Sequence, residues 1–141
     1  MQNDTPPLLL TFGASDPTGT TGIQADLATF ASFGCHGLSV ITQLNVEDTV
    51  RREGALPIEP EWVADQARTV LEDIPVAALK VGAVGSTENV MAIAEIVADY
   101  PDVALILAPA REELGDGSLA DLELASAIAD LLIAQTSLLV V

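Results

Sequence analysis

The feature that most constrains the fold is a glycine-rich turn between an apolar run and an amphipathic segment. Residues 8–12 read LLLTF, as expected for a buried strand of a parallel sheet. Residues 13–22 contain three glycines, and apolar positions recur at helical spacing over residues 22–33. The order of strand, glycine-rich turn and helix predicts an α/β protein with a ligand-binding loop after its first strand.

Two well-known phosphate-binding loops do not fit this turn. A Walker loop requires Lys and then Ser or Thr after its last glycine, whereas Ile-Gln follows Gly22 here. A dinucleotide-binding loop requires Gly-x-Gly-x-x-Gly, and the interval between Gly13 and Gly19 is wrong for it. The sequence instead predicts a helix that begins after Thr21, with a capping box formed by Thr21 and Gln24.

Asp26 is the candidate ligand-binding residue of this first helix. It lies one turn beyond Gly22 on the same helix face, next to the predicted loop. A carboxylate in this position can accept hydrogen bonds from a hydroxyl or amino group of a ligand. The alternative is that Asp26 only complements the helix dipole. The sequence alone leaves both interpretations open.

Strands and helices alternate along the rest of the chain. Half of the residues are hydrophobic and only 4% are aromatic, which is typical of an α/β protein. Further strands are predicted at residues 38–44, 77–81, 103–107 and 137–141, an edge strand or extended loop within 50–58, and helices at 60–75, 86–100 and from Ser118 with Asp121. The pattern predicts one domain over residues 1–141, with a parallel sheet and helices on both of its faces.

Four loops are predicted to meet in this arrangement. Ligands of such sheets bind beyond the carboxyl ends of the strands. The loops at residues 13–21, 45–49, 82–85 and 108–111 should therefore share one rim.

The charge balance excludes some classes of partner. The chain has 21 acidic residues against 5 basic ones, and its net charge is -16. Nucleic-acid binding depends on Lys and Arg, so nucleic acid is not expected as a partner. Membrane association is not expected either, because no apolar run is long enough to span a bilayer and the first residues lack a basic signal region, so we expect a cytoplasmic protein. Adjacent Cys35 and His36 do not form a metal site, and no metal-ligating residues are predicted.

Four segments together resemble a known enzyme family. Residues 15–27 read SDPTGTTGIQADL and resemble the opening motif of hydroxymethylpyrimidine/phosphomethylpyrimidine kinases, thiamine-biosynthesis enzymes of the ribokinase-like superfamily. Residues 39–50, 78–86 and 103–107 follow in the family's order. The resemblance implies a ribokinase-like three-layer sandwich, here with about five core strands. It also implies ATP-dependent phosphorylation of 4-amino-5-hydroxymethyl-2-methylpyrimidine or its monophosphate, with ATP and Mg²⁺ as cofactors.

The resemblance also implies roles for individual residues. Asp26 and Glu47 would hydrogen-bond the hydroxymethyl and ring groups of the aminopyrimidine. Other small and polar residues would line the ring, namely Ala14, Gly22, Asn45 and Ala83. The alternative for Glu47 is a solvated loop charge, and Lys80 is expected to be a structural ion-pair partner.

The chain departs from the family pattern in two places. Ala108-Pro109-Ala110 stands where the family usually has Asp-Pro-Val, and the aspartate normally helps to organise metal and phosphates. The sequence also ends before the family's carboxyl-terminal half, which supplies the catalytic residues and most ATP contacts. We therefore expect these 141 residues alone to bind the pyrimidine weakly and to turn over slowly or not at all.

Two other interpretations remain. The chain can be a non-catalytic pyrimidine-binding or assembly module derived from such a kinase, with residues 137–141 as an apolar edge that pairs two copies. A sugar kinase of the wider superfamily fits the predicted fold but not the residue pattern around Gly19 and Asp26.

Overall fold

The computed structural model describes residues 5–114 and 119–140, which form a six-stranded sheet with helices packed against it. The strands are β1 (Leu8–Ser15), β2 (His36–Glu47), β3 (Arg52–Pro57), β4 (Ala78–Val81), β5 (Ala104–Leu107) and β6 (Leu138–Leu139). The α-helices are α1 (Gly22–Ser32), α2 (Pro60–Asp73), α3 (Thr87–Ala98) and α4 (Leu119–Leu131), with short 3-10 turns at Arg111–Leu114 and Ile133–Gln135.

The strand order is β3-β2-β1-β4-β5-β6. All neighbours are parallel except β3, which is an antiparallel edge strand beside β2. The chain leaves β1 in one direction to form β2 and later continues on the other side of β1 with β4, β5 and β6. α1 packs against β1 and β2 on one face of the sheet, and the other three helices share the main core on the opposite face, as right-handed crossovers require. This arrangement confirms the predicted α/β fold class, and the edge strand predicted within residues 50–58 is present.

Side chains of β1 alternate between these two faces. Leu10 and Phe12 are fully buried in the main core, together with residues of α2 and α3 such as Val63 and Ile93. The intervening Thr11 faces α1 and donates a hydrogen bond to Asp26. The α1 face is thinner, because only Ile23 of that helix is buried. Ala31 is one of the apolar residues within the helical pattern predicted over residues 22–33, but it is exposed.

Several boundaries differ from the predictions. β1 continues through Ser15 and β2 through Glu47, because the two strands pair in parallel up to Ser15 and Leu44 and β3 then pairs with the end of β2. The glycine-rich loop therefore starts at Asp16. Trp62, a large apolar residue within the helix predicted over residues 60–75, is 66% exposed. The predicted start of α4 at Ser118 lies outside the described residues.

Across the part of the chain that is described, no helix combines the length and the apolar character needed to cross a membrane.

Candidate functional site

A cavity of about 880 Å³ lies beyond the carboxyl ends of the central strands. Its lining includes the four segments that were predicted to share a rim: the end of β1 and the loop after it, the end of β2, the loop after β4 and the loop after β5. Residues of α1, of β4 and of the turn into β3 complete the lining. The cavity lies where the strand order reverses around β1, which is the usual ligand position in open α/β sheets.

All six residues predicted to contact a ligand line this one cavity. They are Ala14, Gly22, Asp26, Asn45, Glu47 and Ala83. They come from three segments that are distant in sequence. The fold therefore brings the two carboxylates, Asp26 and Glu47, to the same cavity, which the sequence-based interpretation required.

Asp16 organises the loop between β1 and α1. Its side chain is 1% exposed, and its Oδ1 atom accepts hydrogen bonds from the backbone nitrogen and the hydroxyl of Thr18 at 2.9 and 2.8 Å. Its Oδ2 atom accepts hydrogen bonds from the nitrogen and hydroxyl of Thr21, both at 2.9 Å, and from the Thr20 hydroxyl at 3.1 Å. Burial alone would raise the pKa of Asp16, but these hydrogen bonds outweigh it and hold the pKa well below its ordinary value.

The capping box predicted for α1 is wrong. The N-cap residue is Thr21, but its side chain makes no capping hydrogen bond. Its hydroxyl is donated to Asp16, and Gln24 instead accepts from the Asp16 nitrogen and donates to the Ser15 hydroxyl, both at 2.9 Å. The polar side chains at the start of α1 therefore hold the loop rather than the helix end.

Gly22 allows the helix to start close to the end of β1. It has a φ of +68°, and a Cβ atom at this position would lie 2.3 Å from the carbonyl oxygen of Ala14. Any larger residue would displace either the loop or α1. The glycine therefore fixes how closely α1, and Asp26 on it, approaches the cavity.

Asp26 is held by partners on two strands. Its Oδ2 atom accepts a hydrogen bond from the Thr11 hydroxyl of β1 at 2.7 Å, and its Oδ1 atom lies 2.5 Å from Nζ of Lys80 on β4. The Asp26 side chain is 14% exposed. The expectation that Lys80 is an ion-pair partner is confirmed. Asp26 is beyond the first turn of α1, which has no acidic residue, so complementing the helix dipole does not explain it.

Glu47 ends a row of polar side chains on one face of β2. Gln43 donates to the Asn45 side-chain oxygen at 2.7 Å, and Asn45 donates to Oε1 of Glu47 at 3.0 Å. The Nε atom of Arg52, on the neighbouring β3, lies 3.4 Å from Oε2 of Glu47. The alternation of side chains along a strand puts all three β2 residues on the same face. Glu47 is therefore a positioned carboxylate rather than a freely solvated loop charge.

The loop after β4 is fixed from three sides. The Thr42 hydroxyl donates to the carbonyl oxygen of Ala83 at 2.7 Å, and the side-chain amide of Asn89 donates to that of Val84 at 2.9 Å. The buried carboxylate of Glu113 accepts hydrogen bonds from the backbone nitrogens of Val84 and Gly85, and the shortest distance to each nitrogen is 2.8 Å. Its position in an unremarkable acidic stretch gave no signal from which sequence reasoning could have identified it. Asp16 did carry a signal in the sequence, because three threonines that can donate hydrogen bonds follow it within five residues.

The described residues offer little to a metal ion. They contain no group of three or more His, Cys, Asp or Glu side chains placed to hold one. Ala108 and Ala110 line the cavity directly after β5, and Ala108 stands where the family resemblance implies an aspartate. Mg²⁺ in proteins is usually held by one or two carboxylates together with waters and substrate phosphates. The four carboxylates that line the cavity already accept hydrogen bonds from protein donors, and they are Asp16, Asp26, Glu47 and Asp48.

Comparison with known proteins identifies related sequences. The family model for phosphomethylpyrimidine kinase matches residues 16–141. A hydroxymethylpyrimidine/phosphomethylpyrimidine kinase of Streptomyces coelicolor is 39% identical over 122 residues, which are 86% of this chain and 45% of that protein. The enzyme of the same name from Escherichia coli is 41% identical over 91 residues, or 64% of this chain and 34% of that protein. The chain thus spans less than half the length of these relatives.

Solved structures agree with this relationship. The phosphomethylpyrimidine kinase of Clostridium difficile superposes with a TM-score of 0.84 at 29% identity, covering 94% of this chain and 58% of that one. A pyridoxal kinase of Bacillus subtilis, solved as an ADP complex, gives a TM-score of 0.86 at 23% identity over 96% of this chain and 51% of that one, a likeness of fold alone. Because the family model covers almost the whole chain and the fold agrees, the chain belongs to the phosphomethylpyrimidine kinase family.

Proposed function

We propose that this chain forms the aminopyrimidine-binding part of an ATP-dependent kinase. Its substrate would be 4-amino-5-hydroxymethyl-2-methylpyrimidine, the monophosphate of that compound, or both. The observation that carries the proposal is the convergence of Asp26 and Glu47 on one cavity, together with the small residues beside them. The names of the relatives, which are hydroxymethylpyrimidine/phosphomethylpyrimidine kinases, support the same substrate class.

Asp26 would accept a hydrogen bond from the hydroxymethyl group or an amine of the substrate. Each oxygen of a carboxylate can accept two hydrogen bonds, and each oxygen of Asp26 has one such partner in the protein, Thr11 or Lys80. A further acceptor direction is therefore left on each oxygen. The ion pair with Lys80 holds the Asp26 carboxylate in a fixed position, so the acceptor is in place before the ligand arrives.

Glu47 would accept from the exocyclic amine of the ring. The donors Asn45 and Arg52 hold its two oxygens, one each, and its side chain is 14% exposed, so little freedom is lost on binding. The flat ring would lie against the small residues Ala14, Gly22 and Ala83, which also line the cavity.

These residues position the substrate but do not supply the whole reaction. Phosphoryl transfer depends on alignment of the two reactants and on neutralising charge as the phosphoryl group moves. In this proposal, the described residues align one of the two reactants. ATP as phosphoryl donor is part of the proposal, and the ADP and AMP-PCP complexes of Staphylococcus aureus pyridoxal kinase are consistent with nucleotide use in this fold.

Calorimetric titration of the 141-residue chain with the aminopyrimidine alcohol tests the proposal. We expect saturable binding that weakens about tenfold in Asp26→Asn and in Glu47→Gln, because each loses a charge-assisted hydrogen bond. Asp65→Asn, at an exposed position of α2, is the matched control and should bind like the parent. An ATP-coupled assay run in parallel should give slow turnover or none.

A folded chain that binds pyridoxal or a sugar but not the aminopyrimidine would contradict the proposed substrate class. Turnover equal to that of a full-length relative would contradict the limited role given to this chain.

The assembly-module alternative has one structural observation in its favour. β6 pairs with β5, and Leu138, Leu139 and Val140 at this side of the sheet are 55%, 42% and 48% exposed. Such apolar residues beside a sheet edge favour pairing with another chain. Light scattering during size-exclusion chromatography separates the two functions, because an assembly module would form oligomers without binding the pyrimidine.

A further inference from the structure

The basic residues of the chain are concentrated in the cavity. The chain has 5 basic and 21 acidic residues, yet all the basic residues except Arg68 line this one site. Arg68 instead pairs with Asp99, at 2.9 Å, away from it. The cavity cations come from the start of β3, from β4 and from the 3-10 turn after β5, and they are Arg51, Arg52, Lys80 and Arg111. Three separate segments thus bring positive charge to one place.

Two of these four cations are paired with the carboxylates proposed to bind the pyrimidine. Lys80 pairs with Asp26, and Arg52 lies beside Glu47. These pairs neutralise the carboxylates and leave no excess positive charge. Arg51 and Arg111 are therefore the cations to be explained.

The other two carboxylates of the cavity are already held by uncharged donors. Asp16 accepts from threonine hydroxyls and backbone nitrogens of its own loop. Asp48 accepts at 2.8 and 2.9 Å from the backbone nitrogens of Val50 and Arg51, and these hydrogen bonds lower its pKa. Neither carboxylate forms an ion pair with an arginine side chain within the described ranges.

Arg111 has an exposed guanidinium at the cavity and no ion-pair partner among residues 5–114 and 119–140. The nearby carboxylate of Glu113 faces inward, toward the nitrogens of Val84 and Gly85. Arg51 pairs with Glu53 at 2.7 Å, but these side chains are 74% and 54% exposed. An ion pair between such exposed side chains contributes little to stability, so a ligand anion can replace Glu53 as the partner of Arg51 at a small cost in free energy.

We propose that Arg111, with Arg51, forms a binding site for a phosphate group at the mouth of the cavity. Guanidinium groups bind phosphate through two parallel hydrogen bonds and stay charged at any physiological pH. In a chain of net charge -16, two arginines at the mouth also offset the repulsion that an anionic ligand would meet on approach. The phosphate group belongs either to a phosphomonoester of the aminopyrimidine or to a nucleotide.

This proposal rests on the proposed function only in placing the phosphate beside the aminopyrimidine site. It extends that function by assigning the selection of a phosphorylated ligand to named side chains. Neither arginine is needed for the contacts proposed for Asp26 and Glu47.

Calorimetry of the full 141-residue chain with two pairs of ligands tests the site. One pair is the aminopyrimidine alcohol and its monophosphate, and the other is adenosine and ADP. We expect the phosphorylated member of at least one pair to bind more tightly than its parent compound. The preference should fall about tenfold in Arg111→Gln, less in Arg51→Gln, and should shrink as salt is raised.

Arg68→Gln is the matched control, because it removes the same charge at a position outside the cavity and should keep the preference unchanged. Arg111→Lys keeps the charge but not the planar fork, so it should fall between the parent and Arg111→Gln. Circular dichroism checks that each variant is folded, and the salt titration of the parent tests the site even if a variant does not fold.

The outcomes separate the two proposals. If the alcohol binds and neither phosphate is preferred, the phosphate site is rejected and the proposed function stands. If no pyrimidine binds but ADP does so in an Arg111-dependent way, the phosphate site stands and the proposed substrate is wrong. Absence of binding by all four ligands, or an equal loss in Arg68→Gln, rejects the phosphate site.

Discussion

Asp16 is the residue on which the shape of the glycine-rich loop depends. It is buried and accepts hydrogen bonds from three threonines that follow it, so no side chain donor is needed from elsewhere in the fold. Asn in its place would keep one acceptor oxygen, but its NH2 group, itself a donor, would face the donors that now bind the second oxygen. We expect Asp16→Asn to lower the free energy of unfolding by about 2 kcal/mol, measured by urea denaturation at pH 7.

Asp16→Asn should also change how the free energy of unfolding depends on pH. Because the pKa of Asp16 is lowered in the folded state, the stability it contributes is fully present above the unfolded value of about 3.9 and is lost as the pH falls toward the folded pKa. The free energy of unfolding should therefore fall less steeply between pH 5 and pH 2 in Asp16→Asn than in the parent. The exposed control Asp65→Asn should follow the parent, and an unchanged slope in Asp16→Asn would contradict the assignment.

The pair of Asp26 and Lys80 gives a second prediction at this scale. Lys80→Met leaves a mostly buried carboxylate with Thr11 as its remaining protein partner, whereas Asp26→Asn/Lys80→Met removes both charges. We expect the single variant to lose about 2 kcal/mol of stability and the double variant to lose less. A double-mutant cycle by chemical denaturation measures the coupling. Additive losses would show that the ion pair contributes nothing.

At the scale of elements, the loop after β4 depends on a residue from the turn after β5. Glu113 accepts from the nitrogens of Val84 and Gly85, directly after Ala83 at the cavity. Glu113→Gln keeps the size of the side chain but replaces one acceptor with a donor that faces the same nitrogens. We expect faster hydrogen exchange at Val84 and Gly85, by about tenfold, and weaker aminopyrimidine binding.

Glu95→Gln is the control for this loop, because Glu95 is exposed on α3 and the substitution removes the same charge. It should change neither hydrogen exchange nor binding. Unchanged exchange at Val84 in Glu113→Gln would mean that Thr42 and Asn89 are sufficient to fix the loop.

The sequence predicted elements better than it predicted contacts. Alternating apolar runs and turns indicated the strands and helices, and parallel topology then required their loops to meet at one rim. The ligand-binding roles of Asp26 and Glu47 at that rim rested on the resemblance to the kinase family. The Glu113 contact joins residues 28 and 29 positions apart, and no local pattern specifies it. The capping box failed for a related reason, because the Thr21 hydroxyl bonds the Asp16 carboxylate instead of the helix end.

At the scale of the whole molecule, charge is divided between the cavity and the rest of the surface. Four of the 5 basic residues line the cavity, whereas most acidic residues of the described ranges lie outside it in a chain of net charge -16. Repulsion among these carboxylates opposes the compact state. The same repulsion disfavours anionic ligands everywhere except near the arginines at the cavity mouth.

Salt should therefore affect stability and phosphate binding in opposite directions. Raising sodium chloride from about 0.02 M to about 0.5 M shortens the screening length several-fold and weakens the repulsion, so we expect the thermal midpoint to rise by several degrees. Chloride is preferred to sulfate or phosphate, which stabilise proteins by exclusion and would compete for the proposed site. Asp73→Asn, which removes one exposed charge at the end of α2, should show a slightly smaller rise. A midpoint that falls with salt would mean that ion pairs such as Lys80 with Asp26 outweigh the surface repulsion.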